Sequence, residues 1–290
     1  MGAPPEFETV SIEIGGADGA EAGIGWLFFD RPDKRNAMNP TLNREMIAAL
    51  EWLEAADEVR VVVLTGRGEA WSAGMDLQEY FREVDDAPPH VEIRARRDSA
   101  DWQWRRLIHF PKPTIAMVNG WCFGGAFTPL VCCDLAIAAE DASFGLSEVN
   151  WGIPPGGLVS RALTETISAR DAQWYVMTGE RFDGRQASAM RLVNEAVPGE
   201  DLRARTVEVA GRLAGMNTHV LRAAKVGVKQ VRQMSWDTAE DYLYAKLDAA
   251  TGHDPEHGKQ QGLTQFLDDK TFRPGLRAYD RSGSAGDERG

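Results

Sequence analysis

The sequence predicts an α/β fold followed by a helical C-terminal region, and three observations carry that expectation. Two continuous apolar runs, VRVVVLTG at 59–66 and TIAMVNG at 114–120, each end in glycine, the pattern of strands buried on both faces. An amphipathic stretch separates an earlier strand from the first run, which makes a strand-helix-strand crossover of the right-handed kind. Beyond residue 200 the strand signals stop and long amphipathic helices take over. The chain therefore divides into a core at 1–200, a helical region at 201–281 and a small, polar tail at 282–290.

Each element has a local cause. FETVSIEI at 7–14 alternates polar and apolar side chains, and the glycine-rich GGADGAEAG joins it to GIGWLFFD as a hairpin. Asp30-Arg31-Pro32 ends the second strand, because proline lacks a ladder donor and restricts its predecessor. Asn39 or Thr41 can cap the next helix, whose Leu42, Met46, Ala49, Leu50 and Leu53 recur at helical spacing. After the strand at 59–66, the loop Ala73-Gly74-Met75-Asp76 opens a short helix at the carboxyl end of a central strand, where open sheets bind ligands.

DDAPPH then breaks the chain before IRARRDSADWQWRRLIHF, a helix. Its basic cluster of Arg94, Arg96, Arg97, Arg105 and Arg106 suits solvation and ion pairing between subunits, with phosphate binding as the alternative. The glycine exit of TIAMVNG leads into Gly124-Gly125, a buried helix, a short strand, SFGL and the rigid loop GIPPGG. LVSRALTETIS and RDAQWYVMTG read as helices, and ERFDGRQASAMRLVNEAVP as a turn, a small-residue helix and a short strand. From Asp201 onward come an amphipathic helix to about Gly215, two more in VLRAAKVGVKQVRQM and WDTAEDYLYAKLDAAT, and a terminal helix in HGKQQGLTQFLDD.

Composition excludes several function classes. A formal charge of -12 disfavours nonspecific attraction to nucleic acid or to an anionic membrane surface. No stretch reaches the roughly 18 to 20 continuous apolar residues of a membrane span. The opening MGAPPEFETVSIE has neither the basic nor the apolar region of a secretory leader. Three cysteines, Cys122, Cys132 and Cys133, lie in or beside apolar sequence. An odd number with two adjacent fits neither a disulfide framework nor a zinc spacing, so a reducing, cytoplasmic location is expected, and no metal.

Chemistry concentrates in residues 119–157. Gly124-Gly125 before an apolar run can present backbone donors at a helix start, and Glu148 is an isolated acid before the glycine-rich loop 152–157. Taken singly, these residues are better explained as glycines that permit tight packing and an acid that faces solvent. If the amides of Met75 and Gly125 converge, they form a two-donor hole for a carbonyl oxygen, and one such donor contributes about 3 kcal/mol where charge develops. No nucleophile-elbow arrangement accompanies them, which disfavours an acyl-enzyme, and Cys122 reads as a buried small hydrophobe. An enolate step remains. Glu148, flanked by Val149, Trp151 and Ile153, is its proton carrier if apolar surroundings raise its pKa; the plain alternative is an acid that caps a helix or bonds the GIPPGG amides. His90, His109, His219, His253 and His257 all fall outside these stretches.

RPDKRNAMNPTL, SAGMDL, NGWCFGGAFTPLVCCDLAIAAEDASFGLSEVNWGIPPGG and TGERFDGRQASAMRLVNEAVP, in this order, resemble the enoyl-CoA hydratase/isomerase (crotonase) superfamily. AWSAGMDLQEYFREVD, SEVNWGIPPGG, WDTAEDYLYAKLD and TQFLDDKTFRPGLRAY are similar, more narrowly, to its hydroxycinnamoyl-CoA hydratase-lyase branch. The resemblance implies a spiral of ββα units, C-terminal helices that assist trimerisation, and a homotrimer or a homohexamer of two trimers. It implies that the Met75 and Gly125 amides grip a thioester oxygen and that Glu148 moves protons. Ordinary hydratases of the superfamily carry a second glutamate; its position here is Thr128, where the hydratase-lyase branch has serine. A water-positioning or pocket-shaping hydroxyl is therefore implied in place of an acid.

Tyr80 and Tyr244 match positions that contact the substrate phenol in that branch. Lys34 and Arg35, with the backbone around Ala37, Ala73, Asp76 and Leu77, match the family's nucleotide groove. The implied reaction hydrates feruloyl-, 4-coumaroyl- or caffeoyl-CoA and cleaves the product to an aromatic aldehyde and acetyl-CoA. Coenzyme A enters as part of the thioester substrate, and no cofactor is implied. Two other readings compete: a hydratase or isomerase acting on a non-aromatic acyl-CoA, and a noncatalytic acyl-CoA-binding homologue. RNA binding is disfavoured by the acidic balance and the lack of a basic-aromatic stripe.

Overall fold

The computed structural model describes residues 2–16 and 18–281, so the tail expected at 282–290 lies outside the described residues. The chain forms two compact units, Met1–Leu213 and Ala214–Gly290. In the first unit, β1 (Val10–Ile14) and β2 (Ile24–Phe29) form the expected hairpin, with Val10 opposite Phe29 and Ile14 opposite Gly25. The larger sheet has the order β1-β2-β3-β5-β7-β10, where β3 is Val61–Gly66, β5 Thr114–Val118, β7 Leu135–Ala139 and β10 Glu195–Val197. From β2 onward its neighbours are parallel. β3 and β5 are buried along their whole length, which is why their sequences show no polar alternation.

Helix Pro40–Ala55 carries the crossover from β2 to β3. Asn39, rather than Thr41, caps it: its Oδ1 accepts from the Leu42 amide at 2.8 Å, a contact typically contributing about 1 kcal/mol. Leu42, Met46, Ala49, Leu50 and Leu53 are its buried face. Beside it, Phe29 packs edge-on against Trp71 at 5.2 Å and Trp102 at 5.9 Å. Both indoles find acceptors despite complete burial, Trp71 at the Leu64 carbonyl and Trp102 at Asn43 Oδ1.

A smaller sheet positions the site. Its order is β4-β6-β8-β9, with β4 Ala70–Ser72, β6 Trp121–Phe123, β8 Ser143–Gly145 and β9 Arg181–Asp183. β4, β6 and β8 are parallel, pairing Ser72 with Cys122 and Phe123 with Gly145, while β9 runs antiparallel to β8. Three chain segments thus leave the same end of this sheet, at residues 73–76, 124–125 and 146–148.

Two helical paths beside these loops contain a wide turn. Leu77–Arg82 is π-helical, and the helix expected over 93–110 is Pro89–Ala100, then a π-helical Asp101–Arg106, then Leu107–His109. Its arginines pair locally, Arg96 with Glu92, Arg97 with Asp98, and Arg106 with Asp101 and Glu51.

The first unit extends past the composition change at residue 200. Helix Leu202–Ala214 buries Leu202, Thr206 and Ala210, Arg203 forks onto Glu21, and Arg205 pairs with Glu195, which ties it to the strand-bearing unit. The second unit contains helices Thr218–Val231, Trp236–Gly252 and Gly258–Leu263. Its polar centre is Asp254, which accepts from Asn217 Nδ2 at 3.0 Å and from the amides of Glu256 and Gly258. Among the described residues no helix is long and apolar enough to cross a membrane.

Candidate active site

The loops leaving β4 and β6 meet so closely that only glycine fits between them. Gly74 has φ +88°, and a Cβ there would lie 2.5 Å from the Phe123 carbonyl oxygen and 3.2 Å from the Gly125 nitrogen. A Cβ on Gly125 would lie 2.9 Å from Met75 Cγ and 3.5 Å from the Met75 nitrogen. The 73–76 loop is pinned from behind, since Met38 donates to the Gly74 carbonyl at 2.7 Å and the Asp76 amide donates to the Met38 carbonyl at 3.0 Å. Among the described residues these loop bonds leave the amides of Met75 and Gly125 uncommitted, as the first amides of a helical turn are.

Glu148 completes this end. It opens the short 3-10 helix Glu148–Trp151, which Gly152 ends in a left-handed conformation, and its side chain approaches Gly124, whose added Cβ would stand 3.0 Å from Oε1. The residue is 7% exposed, and Oε2 is buried without a hydrogen-bond partner. Burial pushes the carboxyl above the usual glutamate range, against a smaller opposing pull from its own amide. Oε2 at least is therefore not held by the GIPPGG amides. Thr128, buried on helix Phe127–Cys132, faces the same cleft. Cys122 is fully buried and its thiol is pushed well up, which fits a packing role.

The cleft, about 530 Å³, continues from Met75, Gly125, Thr128 and Glu148 to an aromatic wall of Tyr80, Phe81, Trp104, Phe123 and Trp151. Phe81 meets Trp151 edge-on at 6.1 Å and Tyr80 at 5.5 Å. A flat acyl group ending in a ring fits such a lining, with the reacting carbonyl at the glycine end.

A model of the family described as enoyl-CoA hydratase/isomerase matches residues 19–273. The chain belongs to this family. It is 56% identical over 275 residues, 95% of this chain and 98% of the relative, to the hydroxycinnamoyl-CoA hydratase-lyase of Pseudomonas fluorescens. It is 30% identical to the 2,3-dehydroadipyl-CoA hydratase of Escherichia coli strain K12, over 84% of this chain and 92% of that one. The crystal structure of an enoyl-CoA hydratase subunit from Geobacillus kaustophilus HTA426 superposes with a TM-score of 0.80 at 31% identity, covering 91% of this chain and 97% of the other. The fold is accordingly the α/β enoyl-CoA hydratase fold, with repeated ββα units and helices at the C-terminal end.

Within this enoyl-CoA hydratase frame the residues expected to meet the nucleotide are largely engaged with one another. Lys34 and Arg35 are exposed; Arg35 pairs with Glu69 at 3.1 Å and lies 4.9 Å over the Trp121 ring. The Ala37 amide donates to the Lys34 carbonyl and the Ala73 amide to that of Arg35, so neither N–H is free for a ligand. Asp76 caps the helical turn that begins at Leu77, accepting from the Gln78 and Glu79 amides and from Arg31 at 3.0 Å. Burial alone raises its carboxyl, but those amides and the guanidinium outweigh it and hold it below the usual aspartate value. Leu77 lines the cleft and is well exposed.

Tyr244 belongs to the second unit, on helix Trp236–Gly252, and is 61% exposed. Sequence reasoning missed Ser99 and Gln103, which line the cleft from the long helical path together with Arg96 of the basic cluster, and Arg31, which braces the Met75 loop. For Ser99 and Gln103 the only forewarning was their position just after arginines whose charges asked for partners.

Proposed function

We propose that the chain adds water to the double bond of a hydroxycinnamoyl-CoA, such as feruloyl-, 4-coumaroyl- or caffeoyl-CoA, and then cleaves the product by a retro-aldol step. The observation that carries this reading is the buried Glu148 carboxyl, its Oε2 without a partner, beside two uncommitted amides at the end of an aromatic cleft, with Thr128 at the position where the family resemblance puts a second acid. The amides of Met75 and Gly125 hold the thioester oxygen as negative charge grows on it. Glu148 takes a proton from water as the oxygen bonds to the β-carbon, and returns it to the α-carbon of the enolate.

In the second stage Glu148 removes the proton of the new β-hydroxyl. The bond between the α- and β-carbons breaks, the aldehyde forms, and the electron pair moves into the acetyl enolate in the same oxyanion hole. Protonation of that enolate releases acetyl-CoA and restores the carboxylate. A para-hydroxyl helps both stages by releasing electrons toward the benzylic carbon, and Tyr80 is assigned to hold it. Thr128 positions water or shapes the pocket. Lys34 and Arg35 supply the positive charge for the coenzyme A phosphates. No cofactor takes part, the working assembly is a trimer or a hexamer of two trimers, and the enzyme acts in the cytoplasm.

The test is product analysis after feruloyl-CoA is mixed with the purified protein alone. Vanillin and acetyl-CoA in equal amounts support the reading. Accumulation of the β-hydroxy thioester reduces the protein to a hydratase, and hydration of crotonyl-CoA with no vanillin from feruloyl-CoA replaces the reading with that of a non-aromatic hydratase.

A further inference from the structure

Two successive residues with side chains, Arg35 at φ 47° and Asn36 at φ 56°, hold the left-handed conformation just after the 3-10 turn Pro32–Lys34. That conformation is unfavourable for any residue with a Cβ, asparagine least among them, and it persists only where surrounding bonds over-determine it. The Asn36 side chain supplies those bonds. It is fully buried, and both ends of its amide are engaged: Oδ1 accepts from the Arg31 amide at 2.9 Å, while Nδ2 donates to the carbonyls of Arg67 at 2.9 Å and Ala70 at 2.7 Å. Gly66 passes so close that a Cβ there would lie 2.7 Å from Nδ2. Asn36 thus ties the turn to the chain that enters β4.

The turn also sets the register of its own segment against the loop that leaves β4. The Arg35 carbonyl accepts from the Ala73 amide at 2.8 Å, and the Asn36 carbonyl accepts from Ser72 Oγ at 2.8 Å. Ser72, fully buried, in turn accepts from the Gly74 amide at 3.2 Å. Next along, the Met38 amide donates to the Gly74 carbonyl and the Asp76 amide to the Met38 carbonyl, which makes an isolated parallel bridge between Met38 and Met75. In such a bridge the bonded groups belong to the residues on either side of Met75, so the N–H of Met75 itself points away from Met38. On that far side stands Gly125, whose added Cβ would lie 3.5 Å from the Met75 nitrogen. A slip of one residue would turn the Met75 N–H back onto the Met38 segment.

We propose that Asn36 and Ser72 are positioning residues for the oxyanion hole: they hold the left-handed turn in the register at which the bridge to Met38 aims the Met75 N–H beside that of Gly125. Neither side chain lines the cleft. Both act through the main chain of residues 73–76, and so on the charge that grows at the thioester oxygen more than on binding. Asparagine suits position 36 because it tolerates the left-handed conformation while accepting once and donating twice; aspartate lacks the donors, and glycine lacks the side chain altogether. The inference rests on the reading that the amides of Met75 and Gly125 hold the thioester oxygen.

The test has two readouts: turnover of feruloyl-CoA with Glu148 intact, and the Raman frequency of the thioester carbonyl of 4-coumaroyl-CoA bound to Glu148→Gln protein, in which turnover is suppressed. In the parent that carbonyl shifts to lower frequency on binding, because the two amides polarise it. Ser72→Ala lowers kcat about three- to tenfold, and Asn36→Gly, which permits the left-handed turn but removes the side-chain bonds, about ten- to thirtyfold. KM changes less than about twofold in both, and part of the carbonyl shift is lost. Ser72→Ala decides alone if Asn36→Gly does not fold. A full carbonyl shift in the variants, or an unchanged kcat, overturns the positioning role and leaves the oxyanion hole standing. No carbonyl shift in the parent overturns the oxyanion reading and the inference with it.

Discussion

The two ends of the cleft are built from different materials. At the reacting end the groups we propose to work are main-chain amides and one carboxylate, set by three parallel strands and by glycines into which no side chain fits. At the ring end the cleft is lined by side chains, Tyr80 and Gln103 on wide-turned helices and Ser99 on the regular helix that precedes the second of them. A backbone amide can be moved only by moving its strand, whereas a side chain can be exchanged without disturbing its neighbours. The chemistry is therefore fixed in the fold, and substrate choice is left to residues that can change one at a time. That division suits a family whose members share a fold at 30–56% identity yet carry names of different reactions.

The largest expected effect lies at the reacting end. Glu148→Gln lowers turnover about 10³-fold with thioester binding retained, measured by single-turnover release of aldehyde. Because burial raises the Glu148 carboxyl, the acidic limb of the pH-rate profile lies above the ordinary glutamate range, and activity falls as pH drops through that raised value. Stability runs the other way. A carboxyl whose folded pKa is raised favours the folded state only while protonated, so its contribution is present below the unfolded pKa and is lost as pH rises through the folded one. Glu148→Gln consequently melts higher than the parent above neutrality, and the two converge in acid. Equal melting temperatures at alkaline pH break the claim that a buried, unpaired charge is held here.

Next in size is Gly74→Ala, which places a Cβ 2.5 Å from the Phe123 carbonyl at a backbone angle of +88°. Splaying the two loops separates the donors, and kcat falls about 10²-fold. A rise in KM alone, with kcat unchanged, removes the oxyanion hole from the account. Arg31→Met probes the brace behind the same loop: Arg31 bonds Asp76 at 3.0 Å and Glu79 at 2.6 Å. Its loss takes a guanidinium from two carboxylates that keep other donors, the Gln78 and Glu79 amides for Asp76 and Asn39 for Glu79, and costs about 1–2 kcal/mol in urea unfolding. Asp76, held below its usual value by its bonds, stabilises the fold above the ordinary aspartate range, and that contribution fades as pH falls through the lowered value. The cost of Arg31→Met is thus greatest near neutrality and shrinks in acid.

The same contrast explains what the sequence disclosed. Glycines and an isolated acid leave a signature, so the Met75 and Gly125 loops and Glu148 were legible before any coordinates, as were the hairpin, the crossover and the buried strands. Gln103 was not, because helical periodicity assumes a regular turn and this residue stands on a π-helical one, and Ser99, on the regular helix before it, belongs to no motif. The edge of the first unit was hidden for a related reason. Helix Leu202–Ala214 looks like its C-terminal neighbours in composition, and it is its buried Leu202, Thr206 and Ala210, its ion pairs with Glu21 and Glu195 and Arg203 over the Trp26 ring that bind it to the strands.

The smallest effect, and the sharpest probe of the ring end, is Tyr80→Phe. The ring remains to pack against Phe81, 5.5 Å away, so the wall keeps its shape and only the hydroxyl is lost. One neutral hydrogen bond to the substrate phenol corresponds to about a five- to tenfold loss in kcat/KM for 4-coumaroyl-CoA. The loss should be confined to substrates with a ring oxygen, because a thioester without one has nothing to donate to or accept from. If Tyr80→Phe slows an unsubstituted cinnamoyl-CoA as much as its 4-hydroxy counterpart, the side chain is acting through the loop it shares with Met75. The ring end would then be part of the rigid machinery after all, and the contrast between the two ends would fail at that residue.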